Sequence, residues 1–264
     1  KEYKNSSYDI FIRSYDMQGN KFDSETITIT VSNFLVFSKA FGLNGKSELG
    51  RSIIQTIDSG FVILGEVDND ILLMKSNRYG EMEWQQSFGG SQMDIASHIE
   101  QASDGGFIIS ATTESYGQGG KDIWLFKTSS SGLIEWNKYI GTPYDDYSGQ
   151  VLETDDGGFI LIGSRGSSDQ NDNDIWLIKT NSQGDSSWTR SYGGNQFDRG
   201  NDILADDQGG FILLGSTESQ GNGGKDIWLL KVDEDGNDQW NNTYGNGSDD
   251  IGLSMVRTLD DGFL

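Results

Sequence analysis

Hydrophobic positions in this chain cluster or alternate at strand spacing, and nowhere do they recur at the 3.6-residue step of a helix. Between residues 95 and 140 the pattern resolves into four short segments. IASHIEQA (95–102) reads as a first strand. After a DGG turn, FIISATT (107–113) has the β-branched and aromatic bias of a buried strand. DIWLFK (122–127) is a third strand, and its unbroken apolar run from Ile123 to Phe126 predicts burial on both faces. LIEWNKY (133–139), reached through an SSSG turn, mixes Ile134 and Trp136 with Glu135, Asn137 and Lys138. That mixture suits an outer strand, whose charges discourage edge-to-edge pairing.

The four-segment unit repeats. Asp70, Asp122, Asp174 and Asp226 are spaced 52 residues apart, as are Trp84, Trp136, Trp188 and Trp240. Phe107, Phe159, Phe211 and Phe263 keep the same step. Phe61 lies 46 residues before Phe107, because the loop between Phe61 and Asp70 is six residues shorter than its counterparts. Four complete units, at 49–88, 95–140, 147–192 and 199–244, precede half of another at 251–264. Four short antiparallel strands in about 50 residues, repeated, describe the blades of a β-propeller. The expected fold class is therefore all-β: a β-propeller of four-stranded blades with a partial β-sandwich at the N-terminus.

Small residues fit this geometry. Gly50, Ala96, Ser148, Gly200 and Gly252 share one first-strand position, where crowding at the central axis is expected to exclude large side chains. The chain starts at Lys1 and stops within a unit, so it reads as a fragment: residues 1–33 from a sandwich domain, and 34–264 from a propeller truncated at its C-terminus. In LVFSKAFG (35–42), Phe37 and Phe41 stand where Trp84 and Phe88 stand one unit later. That segment is expected to be a fourth strand that clasps the final blade.

Composition narrows the partners. With 41 acidic against 19 basic side chains the net charge is −22, which repels nucleic acid and anionic head groups. There is no Cys, which excludes disulfides and thiolate chemistry. No apolar run approaches the roughly 20 residues of a membrane helix. The single His, His98, has Ser52, Gln150, Asp202 and Ser254 at the equivalent positions, so no histidine repeats from unit to unit. No Ser-His-Asp set, phosphate loop or nicotinamide fingerprint accompanies it.

Two resemblances extend the reading. LLKVDEDGNDQW (229–240) resembles the repeat of quinoprotein-like bacterial propellers, over residues 34–264, which implies the fold and little about activity. SSYDIFIRSYDMQGN (6–20) with ETITITVSN (25–33) resembles the last strands of a cadherin-like domain of large bacterial surface proteins. That resemblance implies Asp16 as a calcium ligand, although Gln18 stands where the family pattern has Gly. It also implies a secreted or surface-anchored bacterial protein.

The loop face of the propeller carries the remaining candidates. Asp94, Asp146, Asp198 and Asp250 each fall six residues after the end of a fourth strand, where they form a ring of carboxylates among Gly-rich loops. Each is expected to pin its loop by accepting backbone N–H bonds; a cation such as calcium, or sugar hydroxyls, are the alternative occupants of the ring. The function expected from these features is a non-enzymatic, extracellular or cell-surface adhesion module, presenting its acidic loop face to a glycan or protein. The alternative is a propeller glycoside hydrolase or polysaccharide lyase, whose paired carboxylates sequence alone does not reveal.

Overall fold

A computed structural model describes residues 6–10, 13–15, 21–23, 27–31, 47–169, 172–258 and 262–264. At the N-terminus, β1 (Ser6–Ile10) pairs with β4 (Ile27–Val31), and β2 (Arg13–Tyr15) pairs with β3 (Lys21–Asp23), as two separate two-stranded sheets. Four antiparallel blades follow, each with its strands in chain order. The first has β5 (Glu48–Gln55), β6 (Phe61–Val67), β7 (Asp70–Ser76) and β8 (Met82–Phe88). The second has β9 (Asp94–Gln101), β10 (Phe107–Thr113), β11 (Asp122–Thr128) and β12 (Ile134–Ile140). The third has β13 (Tyr147–Glu153), β14 (Phe159–Arg165), β15 (Asp174–Thr180) and β16 (Ser186–Tyr192). The fourth has β17 (Asp198–Ala205), β18 (Phe211–Thr217), β19 (Asp226–Val232) and β20 (Asp238–Tyr244). The architecture is the all-β propeller read from the 52-residue step. Segment 35–42 and Asp16 lie outside the described residues.

The core sits in the seams between blades. Ile71 and Leu73 of the first blade meet Phe107, Ile109, Trp124 and Phe126 of the second. Ile123 and Leu125 meet Phe159, Leu161, Trp176 and Ile178 across the next seam, and Ile175 and Leu177 meet Phe211, Leu213 and Trp228 across the third. Third strands β7, β11 and β15 thus bury both faces, as their apolar runs predict, whereas β19 buries one face and leaves Ile227 and Leu229 partly exposed; the outermost strands β8, β12, β16 and β20 stay largely exposed. The first blade shows what a seam contributes. Ile99, Val151 and Ile203 are 0% exposed and Met255 is 5% exposed, whereas the equivalent Ile53 is 62% exposed. Each buried member leans on the preceding blade.

Two expectations need correction. The small first-strand residues are crowded by the preceding blade and not by the central axis: a Cβ on Gly200 would lie 2.5 Å from Ile162 Cγ1, and one on Gly252 would lie 2.7 Å from Leu214 Cδ1. Residues 251–264 also form no full strand among the described positions; Arg257 and Phe263 make an isolated bridge, and Met255 docks on Ile212 and Leu214.

Candidate functional site

At one end of every blade, the loop between second and third strands lies beside the connection to the next blade. The aspartate ring sits there. Asp94 accepts bonds from Gly90 N at 2.9 Å, from Ser115 Oγ at 2.9 Å and from the Thr113 hydroxyl. Asp146 accepts from Thr142 N at 2.5 Å, from Thr142 Oγ1 at 2.9 Å and from Gly166 N at 2.8 Å. Asp198 accepts from Gly194 N and Ser219 Oγ, and Asp250 accepts from Asn246 N at 2.8 Å. Each carboxylate joins two loops or closes its own.

The sequence pattern hid a second carboxylate at each junction. Asp122 and Asp146 both crowd the space beside Gly141, and Asp174 and Asp198 do the same at Gly193, where a Cβ would collide with the Oδ1 of the third-strand aspartate. Oδ1 of Asp122 and Oδ1 of Asp174 are buried without a hydrogen-bond partner. Burial pushes the Asp146 carboxyl above its usual range, with Asp122 adding like-charge repulsion. Repeated glycines here are the space the paired carboxylates require.

On this face the third blade departs from the repeat. Its loop GSSDQNDN (166–173) corresponds to ESYGQGGK (114–121) and ESQGNGGK (218–225). In those two loops the glutamate and the lysine approach each other, Lys121 with Glu114 and Lys225 with Glu218, both at 3.6 Å. Gly166 and Asn173 abolish that pair in the third blade. Tyr116, which stacks on Tyr139 at 4.9 Å and meets the Trp124 ring edge-on, is replaced by Ser168. Arg165 stands where Thr113 and Thr217 stand, its guanidinium 5.8 Å from the centre of the Trp176 ring. Tyr144 replaces Gln92 and Gln196, and beside it Pro143 is the only proline of the chain.

These exchanges open a crevice of about 410 Å³ between the second and third blades. Gln118, Thr142, Tyr144, Arg165, Asp172 and Asp174 line it. The Asp174 carboxyl is held above its ordinary value, first by burial, then by the charges of Asp172 and Asp198, against the opposing pull of Arg165. The crevice thus offers an aromatic ring, a cation and two neighbouring carboxyls. Ring member Asp146 stands behind it, holding Thr142 and Gly166 in place.

His98 is no part of this crevice. Buried on β9, with its pKa pushed down by that burial, it occupies a position whose residue type changes while its task persists. Gln150 Oε1 accepts Ile203 N at 2.7 Å, and Asp202 Oδ2 accepts Met255 N at 2.6 Å, while His98 Nε2 meets Gln150 Nε2 at 3.5 Å. Each side chain ties its first strand to the next, a shared role that unlike residue types concealed. Among the described residues no group of three or more His, Cys, Asp or Glu gathers to hold a metal, and no helix is long and apolar enough to cross a membrane.

No protein-family model matches the chain, and no curated protein matches it. Solved structures do. NanB, the sialidase of Streptococcus pneumoniae, aligns with a TM-score of 0.53 and 14% identity over 98% of this chain and 38% of its own. An α-L-arabinanase of Penicillium chrysogenum aligns at 0.53 and 11% identity over 83% of this chain and 73% of its own. An α-L-arabinofuranosidase of Fusarium graminearum aligns at 0.50 and 9% identity, covering 79% and 73%. All three are named as glycan-cleaving enzymes, which corrects the expectation that the chain is not an enzyme. The absence of a repeated catalytic set had no force, because catalytic carboxyls need to occur only once and come from separate loops. At these identities the likeness establishes the fold, and the chain is a β-propeller.

Proposed function

We propose that the chain acts on glycans as a propeller glycoside hydrolase, with its working site in the crevice between the second and third blades. The observation that carries this reading is the grouping of Asp172 and Asp174 with Tyr144 and Arg165 in a crevice the repeat itself does not make. Glycoside hydrolysis uses two carboxyl groups, one protonated and one ionised. Asp174, whose proton is held more tightly than usual, is assigned as the acid that protonates the leaving glycosidic oxygen. Asp172 takes the proton of the attacking water, so that water adds across the broken C–O bond. Tyr144, 43% exposed at the rim, offers a ring face to the sugar.

The substrate class is a neutral glycan. A net charge of −22 disfavours polyanions, and the crevice itself sets the carboxyls of Asp172 and Asp174 against the cation Arg165. Polymeric glycans of this kind are met outside the cell, which supports an extracellular or cell-surface setting. The cadherin-like resemblance of the N-terminal strands fits a spacer that carries the propeller outward. Incubation with soluble arabinan, followed by a reducing-sugar assay, tests the reading. The chain releases new reducing ends, and Asp174→Asn, with unchanged circular dichroism, does not.

A further inference from the structure

A second departure from the repeat lies at the opposite end of the blades, on the face of the DGG turns. At the first seam, Gln101 reaches back to the turn of the preceding blade, its Oε1 accepting Ile57 N at 2.8 Å. Glu153 does the same at the second seam, accepting Ser103 N at 2.6 Å and the Ser103 hydroxyl at 2.9 Å. At the third seam the equivalent residue is Ala205, which has nothing to reach with.

The clamp on the buried lysine changes at the same seam. Lys75 is held by Asp58 at 2.8 Å and Glu83 at 2.9 Å, and Lys127 by Asp104 at 2.5 Å and Glu135 at 2.6 Å. Lys179 keeps Asp156 at 2.8 Å, but Ser187 stands where the second acid belongs. The ring contacts follow. Trp84 meets Phe107 at 6.1 Å and Trp136 meets Phe159 at 5.7 Å, whereas among the described residues Trp188 and Phe211 make no such contact. A cleft of about 520 Å³ opens instead, lined by both rings and by Lys179, Ser187 and Ala205.

We infer that this cleft between the third and fourth blades is a second, non-catalytic binding site for a neutral oligosaccharide. Trp188, with the Arg190 guanidinium 5.3 Å from its ring centre, supplies the aromatic surface for the C–H face of a sugar, while Phe211 is only 7% exposed. The Lys179 ammonium is bonded to Asp156 and to Thr180 O, so the cleft is chiefly a set of acceptors, with Asp155, Asp206, Glu234 and Asp235 among the carboxylates at its lining, able to take bonds from sugar hydroxyls. Carboxylate acceptors beside the Trp188 ring suit a ligand that brings many hydroxyl donors and an apolar face, and a polycation is the competing occupant that the test separates. The cleft lies at the other end of the blades from Asp174, so one polymer chain held here is retained near a crevice that works on another stretch. The choice of probe rests on the glycan reading above, while the site itself rests on the altered seam.

Affinity electrophoresis in gels containing soluble arabinan, on an Asp174→Asn background that removes cleavage, tests the inference. Asp174→Asn is retarded, and Trp188→Ala in that background loses the retardation. Ala205→Gln and Ser187→Glu, which restore what the other seams carry, weaken binding at least fivefold while the fold stays intact by circular dichroism. In the otherwise native chain, Ala205→Gln leaves cleavage of a short arabino-oligosaccharide unchanged. A chain that binds arabinan without cleaving it defeats the catalytic reading and leaves this one standing. Retardation unaffected by Ala205→Gln and Ser187→Glu overturns it, as does no retardation of Asp174→Asn at all, or Trp188 fluorescence that responds to spermine and not to arabinan.

Discussion

Loops 114–121 and 166–173 occupy the same place in successive blades and do opposite work. The first closes its seam: Tyr116 fills the gap against Trp124 and Tyr139, its hydroxyl bonds Gly89 O at 3.0 Å, and Lys121 spans Glu114 and Asp145. The second keeps the aspartate that anchors the loop and drops everything that fills the space, leaving Arg165, Asp172 and Asp174 around a crevice. A repeat supplies its own control. Most residues that recur hold the blades together; Asp174 recurs as well, and only the exchanges around it in the third blade leave it lining a crevice.

The largest effect that separates the two roles belongs to a recurring residue. Trp124→Ala should lower stability by about 3 to 5 kcal/mol, read by urea denaturation, because it empties a seam in which Trp124 is only 3% exposed. Glycan cleavage by the folded fraction should be unchanged. A loss of cleavage without a loss of stability would mean that Trp124 serves the site and not the seam.

A next effect concerns Glu100, which stands where Ile54, Leu152 and Leu204 stand in other blades. Burial, opposed by a bond from Glu153 N and reinforced by the Glu153 charge, pushes its pKa from 4.5 up to about 7. The folded state therefore binds this proton more tightly than the unfolded state, so the stability it confers is complete below pH 4.5 and is lost as pH rises to about 7. The loss amounts to roughly 2 kcal/mol after allowance for partial exposure. Glu100→Leu should flatten that slope in melts recorded from pH 4 to 8.

Asp146→Asn tests the ring. If Asp146 pins its loop through Thr142 and Gly166, the substitution should cost about 1 to 3 kcal/mol, equally with and without calcium. A stabilisation of the native chain by saturating calcium, roughly 2.7 kcal/mol at a hundredfold excess over the dissociation constant, that disappears in Asp146→Asn would instead give the ring to the ion. Ser168→Tyr should have the smallest effect on stability, within about 0.5 kcal/mol as an exposed change. By returning the aromatic plug of Tyr116 it should nevertheless abolish cleavage.

What the sequence made legible follows from the same distinction. The step of 52, the apolar third strands and the polar outer strands are backbone-period signals, and they place nearly every strand of the four blades to within a residue. The aspartate ring was legible because it recurs. The crevice was not, because it consists of exchanges such as Gly166 for Glu114 and Ser168 for Tyr116, which look like loop variation until the volumes they remove are seen together. The inner-strand ties escaped for the opposite reason: His98, Gln150 and Asp202 share a position and no chemical type. The pairing of Asp122 with Asp146 across Gly141 needed coordinates, since the two lie on different blades.

The account stands or falls on whether the departures in the third blade make a hydrolytic site. The direct measurement is release of reducing ends from soluble arabinan by the native chain, Asp174→Asn, Ser168→Tyr and Trp124→Ala, each normalised to its folded fraction. The account predicts cleavage by the native chain and Trp124→Ala, and none by Asp174→Asn or Ser168→Tyr. Cleavage that persists in Asp174→Asn and Ser168→Tyr, or a native chain that cleaves neither arabinan nor other neutral glycans, would contradict it.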